Sequence, residues 1–229
     1  MRRLLLASAI VICICAAVSA YADPIEFKLL GFVGGDWQNG YPYYIQPVNA
    51  PVFKIDAVMC DDWFHGGTIG QDWQANITQL GTDNISLTRF NLIPTSSALG
   101  PLTLYDEAGW ILMQTQSQPF SEWKFMNYAV WHILDSDAPL LGDAASWITA
   151  AEQEAAQHFP GVDFNRIYII TPVNQYDPDP HGPQEFLYLG QDNMGPAGPW
   201  GPGQSTPEPG TLLLLGTGVV GIVGRKLWR

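Results

Sequence analysis

The chain is 229 residues long, with 22 acidic residues against 10 basic ones and a net charge of −12. Half of the basic residues lie near the termini, as Arg2, Arg3, Arg225, Lys226 and Arg229, so the stretch from Asp23 to Thr206 holds five basic residues against 21 acidic ones. So acidic a surface repels phosphate backbones, which argues against nucleic acid as a partner, and the length allows one hydrophobic core.

The N-terminus opens with Arg2 and Arg3, an apolar run from Leu4 to Val18, and small residues at Ala20 and Ala22. A charged start, a short apolar stretch and an A-x-A site describe a secretory signal peptide over residues 1–22, cleaved between Ala22 and Asp23. Cys13 and Cys15 leave with it, and Cys60 becomes the only thiol of the exported protein. No internal disulfide can then form, and Cys60 is either packed and inert or chemically employed.

A globular domain is expected over residues 23–194. Strands are predicted at Ile25–Phe32, ended by the Gly34-Gly35 turn, and at Tyr41–Ile45, where Pro42 suggests a sheet edge. The alternating stretch Val52–Met59 predicts a strand that delivers Cys60 at its end, with weaker strands at Trp73–Leu80 and Ile85–Leu92. Helices follow: one capped by Thr103 and running to Gln116, one capped by Ser121 and running to Leu134, and one capped by Asp143 over Ala144–His158. The chain returns to strands at Arg166–Thr171 and Gln184–Leu189. Strands, helices, then strands indicate an α+β fold, an antiparallel sheet or small β-barrel with an inserted subdomain of about three helices.

Gly195 to Gln204 reads GPAGPWGPGQ, so residues 195–206 read as a linker. Residues 207–229 hold Pro207-Glu208-Pro209, an uncharged apolar run from Gly210 to Gly224, and a basic end with Arg225, Lys226, Trp228 and Arg229. The run is short for a hydrocarbon core of about 30 Å, but flanking basic residues can snorkel. A C-terminal transmembrane helix within residues 210–228 is therefore expected, with the domain outside and the basic end in the cytoplasm.

This triplet, helix and basic cluster, in that order at the very end, resemble the PEP-CTERM sorting signal. The resemblance implies recognition by an exosortase, cleavage at or near Pro207 to Pro209, and release to the cell surface or extracellular matrix of a Gram-negative cell, where exopolysaccharide is a common companion. The sorting residues it implies are Pro207, Glu208, Pro209, Arg225 and Lys226.

Two short segments carry a second resemblance. Met59-Cys60-Asp61-Asp62 ends a strand, and Met126-Asn127-Tyr128-Ala129-Val130-Trp131 lies on a helix. The pair resembles the thioester domains of bacterial surface adhesins, in which a Cys after a strand bonds to the Gln of an apolar-Gln-x-x-apolar-Trp helix. Asn127 stands where that family has Gln, one methylene shorter. The expectation is therefore a related fold with Cys60 packed as a small hydrophobe, and the alternative is a covalent Cys60–Asn127 adhesin that captures amines or hydroxyls. A Lys28 or Lys54 isopeptide bond to Asn127 is a further option.

Asp61, Asp62 and His65 cluster after Cys60, and Asp177, Asp179 and His181 cluster in a Pro-rich loop. Neither matches a recognised metal-ligand spacing, so both read as solvated loop acids and no metal or cofactor is expected. Among the nine tryptophans, Trp37 is the best candidate to stack on a sugar ring. There is no G-x-S-x-G elbow, and Glu152 and Glu154 point in different directions on one helix. The composite expectation is a non-enzymatic adhesion or matrix protein; a secreted carbohydrate-active enzyme is the rival from another class.

Overall fold

The computed structural model describes residues 24–32, 42–48, 55–82, 84–92, 99–174 and 182–190. These residues fall within one compact unit bounded by Pro24 and Pro199. The signal peptide with Ala22 and Asp23, and the tail with Pro207, Glu208, Pro209, Arg225 and Lys226, lie outside the described residues.

Six strands close into an antiparallel barrel: β1 (Ile25–Phe32), β2 (Tyr43–Pro47), β3 (Ile55–Cys60), β4 (Asp72–Gln79), β5 (Ile167–Pro172) and β6 (Phe186–Leu189). Around the barrel they run β1-β2-β3-β6-β5-β4 and back to β1. The strands form because their apolar side chains recur every second residue, which puts them on one face of a pleated strand. In β1, Phe27 and Leu29 point in; in β2, Tyr43 and Ile45; in β4, Trp73 and Ala75. Phe27 pairs with Trp73 across β1 and β4, and Cys60 with Phe186 across β3 and β6.

The interior is aromatic. The Phe27 ring stacks on Trp73 at 6.2 Å, Trp73 meets Phe186 at 6.0 Å, and Phe186 meets Tyr43 at 5.5 Å. Such pairs add about 0.5–1.5 kcal/mol each beyond the area they bury. Closure also corrects one expectation. Pro42 does not mark an edge, because β2 is bonded to β1 on one side and β3 on the other. Pro42 lies just before β2, where its missing N–H costs the ladder nothing.

Between β4 and β5 the chain makes a one-turn helix α1 (Arg89–Leu92) and three longer helices: α2 (Pro101–Gln114), α3 (Phe120–Leu134) and α4 (Ala144–Ala155). The three long helices pack on one another, α2 against β6 and α3 against β3. Helix α3 is the central one, with Met126 through Trp131 all buried, whereas α4 buries only Ala144 and Ala151. At Gly109 of α2 an added Cβ would come within 2.8 Å of the Ile167 side chain and 3.0 Å of Leu80, so the glycine lets the helix lie close on the barrel.

The helix ends differ from the sequence expectation in instructive ways. Helix α2 starts at Pro101 after Gly100, because a proline needs no partner for an N–H in the first turn; Thr103 is already helical. Helix α3 starts after Pro119, placing Ser121 inside it. Asp143 does precede α4, but its side chain makes no capping bond. That helix stops at Ala155, before His158 and Phe159 take left-handed backbone with φ of 60° and 48°. The strand expected at Ile85–Leu92 is a turn leading into α1: the Thr88 hydroxyl donates to Ile85 O at 2.8 Å, and the Arg89 N–H goes to a side chain instead of a ladder. Among the described residues no helix is long and apolar enough to cross a membrane, and the helix expected at residues 210–228 lies outside them.

Candidate functional site: a buried polar cluster where barrel meets helices

Strand β3 ends at Cys60, and the next residues turn inward. Asp61 donates its backbone N–H to Glu185 O at 3.3 Å, which continues the β3–β6 pairing by one step and draws Asp61 under the helices. Asp61, Asp62 and His65 are therefore buried, not solvated loop acids as their composition suggests. What makes this burial tolerable is Arg89, also buried, which α1 directs into the cluster.

The Arg89 guanidinium lies 2.5 Å from Asp62 Oδ2. His65 Nδ1 lies 2.7 Å from the same oxygen and also contacts the Arg89 guanidinium, whose nitrogen is 3.3 Å from Nε2. The second arm of Arg89 donates to Pro183 O at 3.1 Å. Asp62 Oδ1 also accepts from the His65 backbone N–H at 3.3 Å, so the turn and the ion pair fix each other. Gln184 closes this side by donating to His65 O.

Glu185 holds the other half. Its carboxylate accepts from the Tyr105 hydroxyl, from the Thr171 hydroxyl and from the Arg89 backbone N–H at 2.9 Å. One side chain thus ties α2, β5 and α1 to β6. Burial raises the Glu185 carboxyl above its ordinary range, while Thr171, Tyr105 and Arg89 pull it back. At Asp61 only the Arg89 charge acts in that direction, and apart from the approach to Glu185 its two buried oxygens have no hydrogen bond of normal geometry among the described residues. Burial first, then the negative Glu185 and Asp62, push its carboxyl far up, so Asp61 is held neutral.

Beside these acids sit the two residues of the thioester resemblance. Asn127 of α3 donates its side-chain amide to Cys60 O at 2.8 Å, and the Cys60 thiol donates to Asp62 O at 3.2 Å. Both residues are fully buried. Among the described residues the amide oxygen of Asn127 has no hydrogen-bond partner. Trp131, one helical turn on, approaches the sulfur with its side chain and packs at a tilt against Trp63 at 5.0 Å. Burial, then Asp62 and Asp61, raise the Cys60 thiol well above its usual value, so it stays protonated. The fold brings the Asn127 amide to the Cys60 backbone carbonyl. It does not bring Lys28 to them: Lys28 pairs with Asp72 at 3.2 Å on the half-exposed outside of the barrel. Lys54 lies outside the described residues.

Arg89, Tyr105 and Glu185 were not singled out from sequence. One signal was available for Arg89: it is one of five basic residues in the exported stretch. Tyr105 and Glu185 carried no local signal. Among the described residues, no three His, Cys, Asp or Glu side chains are placed to hold a metal ion, and Asp177, Asp179 and His181 lie outside them. Trp37 is outside as well, and none of the described tryptophans is exposed; the exposed rings are Phe64 and Phe120.

Architecturally, then, the chain is a small closed barrel capped by three helices, held together by a buried network of charged and polar groups. Comparison with known proteins adds its address: the PEP-CTERM protein-sorting motif matches residues 205–229, which marks an exported protein that an exosortase processes at the cell surface. No curated protein and no solved structure matches the chain.

Proposed function

We propose that this protein is a non-catalytic adhesion or matrix component, delivered to the surface as a membrane-anchored precursor and released when exosortase removes its tail. The sorting motif at residues 205–229 carries this reading. Asp62 and Glu185 of the central cluster are held by Arg89, Tyr105 and Thr171 beneath the helices, which fits a structural role for them. A high negative charge outside suits solubility and contact with cations or hydroxyl-rich polysaccharide. The test is the intact mass of the mature protein from its own host. It should begin at Asp23 and end within Pro207 to Pro209, and replacing these three residues with Ala should leave the tail in place. A wild-type protein that keeps its tail would reduce the motif to a plain anchor.

A second reading is favoured by the Asn127–Cys60 contact: a covalent adhesin. The Cys60 sulfur would add to the Asn127 side-chain carbonyl carbon, the C–N bond would break, and the thiol proton would leave on nitrogen as ammonia. An amine attacking that thioester would form an amide and restore the Cys60 thiol. A mass lower by one ammonia, together with methylamine labelling lost in Cys60→Ala, would establish it. Full mass with a free thiol leaves Cys60 and Asn127 as packing and hydrogen-bonding residues.

A further inference from the structure

A cavity of about 340 Å³ opens in the helical layer, away from the Cys60 cluster, between α2, α3 and α4. Its wall is apolar on Leu104 and Ile148 and polar on Glu107, His132, Ser136 and Glu152. Ile148 and Glu152 are four residues apart on α4 and share a face, as do Leu104 and Glu107, three apart on α2. Each helix therefore offers the cavity one apolar side chain and one carboxylate.

Glu107 is the unusual member. It is only 3% exposed, yet it makes no hydrogen bond or ion pair among the described residues, and the space it faces is this cavity. Burial, then the negative charges of Glu152 and Asp106, push its carboxyl up to about 7. Among the described residues no lysine or arginine lines the cavity. His132 offers no compensating charge while neutral, and its Nδ1–H is committed to Ala138 O at 2.7 Å. A buried carboxylate with two acidic neighbours and no counter-charge is stabilised by a ligand that brings the charge with it. The apolar wall asks that this ligand have a short aliphatic body, and the volume lies in the range of small-molecule sites.

We propose that the cavity between α2, α3 and α4 binds a primary ammonium group carried on a short aliphatic chain, with Glu107 and Glu152 as its counter-charges and Leu104 and Ile148 against its methylenes. This goes beyond the adhesion reading and uses none of its residues. The source is either a free aliphatic amine or the side chain of a lysine, since both present the same group. Because the cation favours ionised Glu107, affinity rises with pH. The facing groups are Asp106 and Glu107 on α2, His132 on α3 and Glu152 on α4; raising the pH removes protons from Glu107.

The experiment is calorimetric titration of the full chain with 1,5-diaminopentane, with acetyl-lysine methylamide, and with the neutral 1,5-pentanediol. Either amine should bind in the millimolar range or tighter, the stronger of the two naming the source, and the diol should bind at least about tenfold more weakly. Affinity should increase from about pH 6 to about pH 8. Glu107→Gln should weaken amine binding at least about tenfold and abolish the pH dependence, and Ile148→Trp, which fills the wall while leaving the charges, should weaken it too. Equal binding of diol and amine, an undiminished affinity in Glu107→Gln, or no binding at about 50 mM amine would each overturn the proposal.

Discussion

Single residues decide how charge survives inside this molecule. Asp61 is held neutral by burial and by its acidic neighbours, so its folded-state carboxyl titrates above the unfolded value of about 3.9. Its contribution to stability is complete below that value and is lost as pH rises through the folded one. Asparagine keeps the shape of neutral aspartic acid and does not ionise. Asp61→Asn should therefore gain in melting temperature over the wild type as the pH is raised from about 4 to about 8; a pH-independent difference would mean Asp61 is not held neutral. Arg89 is the opposite case. Replacing it with Met leaves Asp62 buried without its cation, at a cost of about 3–5 kcal/mol in denaturant unfolding. A loss under about 1 kcal/mol would show that the cluster relaxes or takes in water.

At the scale of elements, the helical layer must lie close on the barrel where α2 passes Ile167. Gly109 provides the space: its neighbours there are the flexible ends of Ile167 and Leu80. Ala at this position should be near neutral, since the helix propensity it gains, about 1 kcal/mol, offsets a small adjustment of those ends. Gly109→Val should lose about 1–3 kcal/mol by wedging α2 from β5, measurable by urea unfolding. The three helices also carry Glu107, whose carboxyl titrates near 7 in the fold and near 4.3 when unfolded. Its stabilising contribution is intact below the lower value and disappears through the upper one. Glu107→Gln should match the wild type in thermal stability near pH 4 and exceed it near pH 8. Element identities were largely legible, because period-two alternation in β1 and β4 and capping proximity before α4 are local signals. Element ends were less so: Pro101 and Pro119 set two helix starts that Thr103 and Ser121 had suggested, since a first-turn proline is as good a start as a hydroxyl.

For the whole molecule, the sorting motif at residues 205–229 lies outside the compact unit that holds the barrel. Deleting residues 205–229 should leave a protein that is exported but released unprocessed, with an unchanged melting temperature; a collapse in stability would show that the tail belongs to the fold. The sequence by itself determined the sorting motif, the export it implies and the α+β class, because each is written in a short run of residues or in the order of strands and helices; that Asn127 reaches the Cys60 backbone was decided by the tertiary structure. Only the tertiary structure decided that the sheet closes, that Asp61, Asp62 and His65 are inside, and that Glu107 faces Glu152 across a cavity. The reason is physical: closure depends on β1 meeting β4, and the charge balance of the core depends on Arg89, Tyr105, Thr171 and Glu185. Those partners stand far apart along the chain, and an aspartate beside a distant arginine reads, residue by residue, like an aspartate in water.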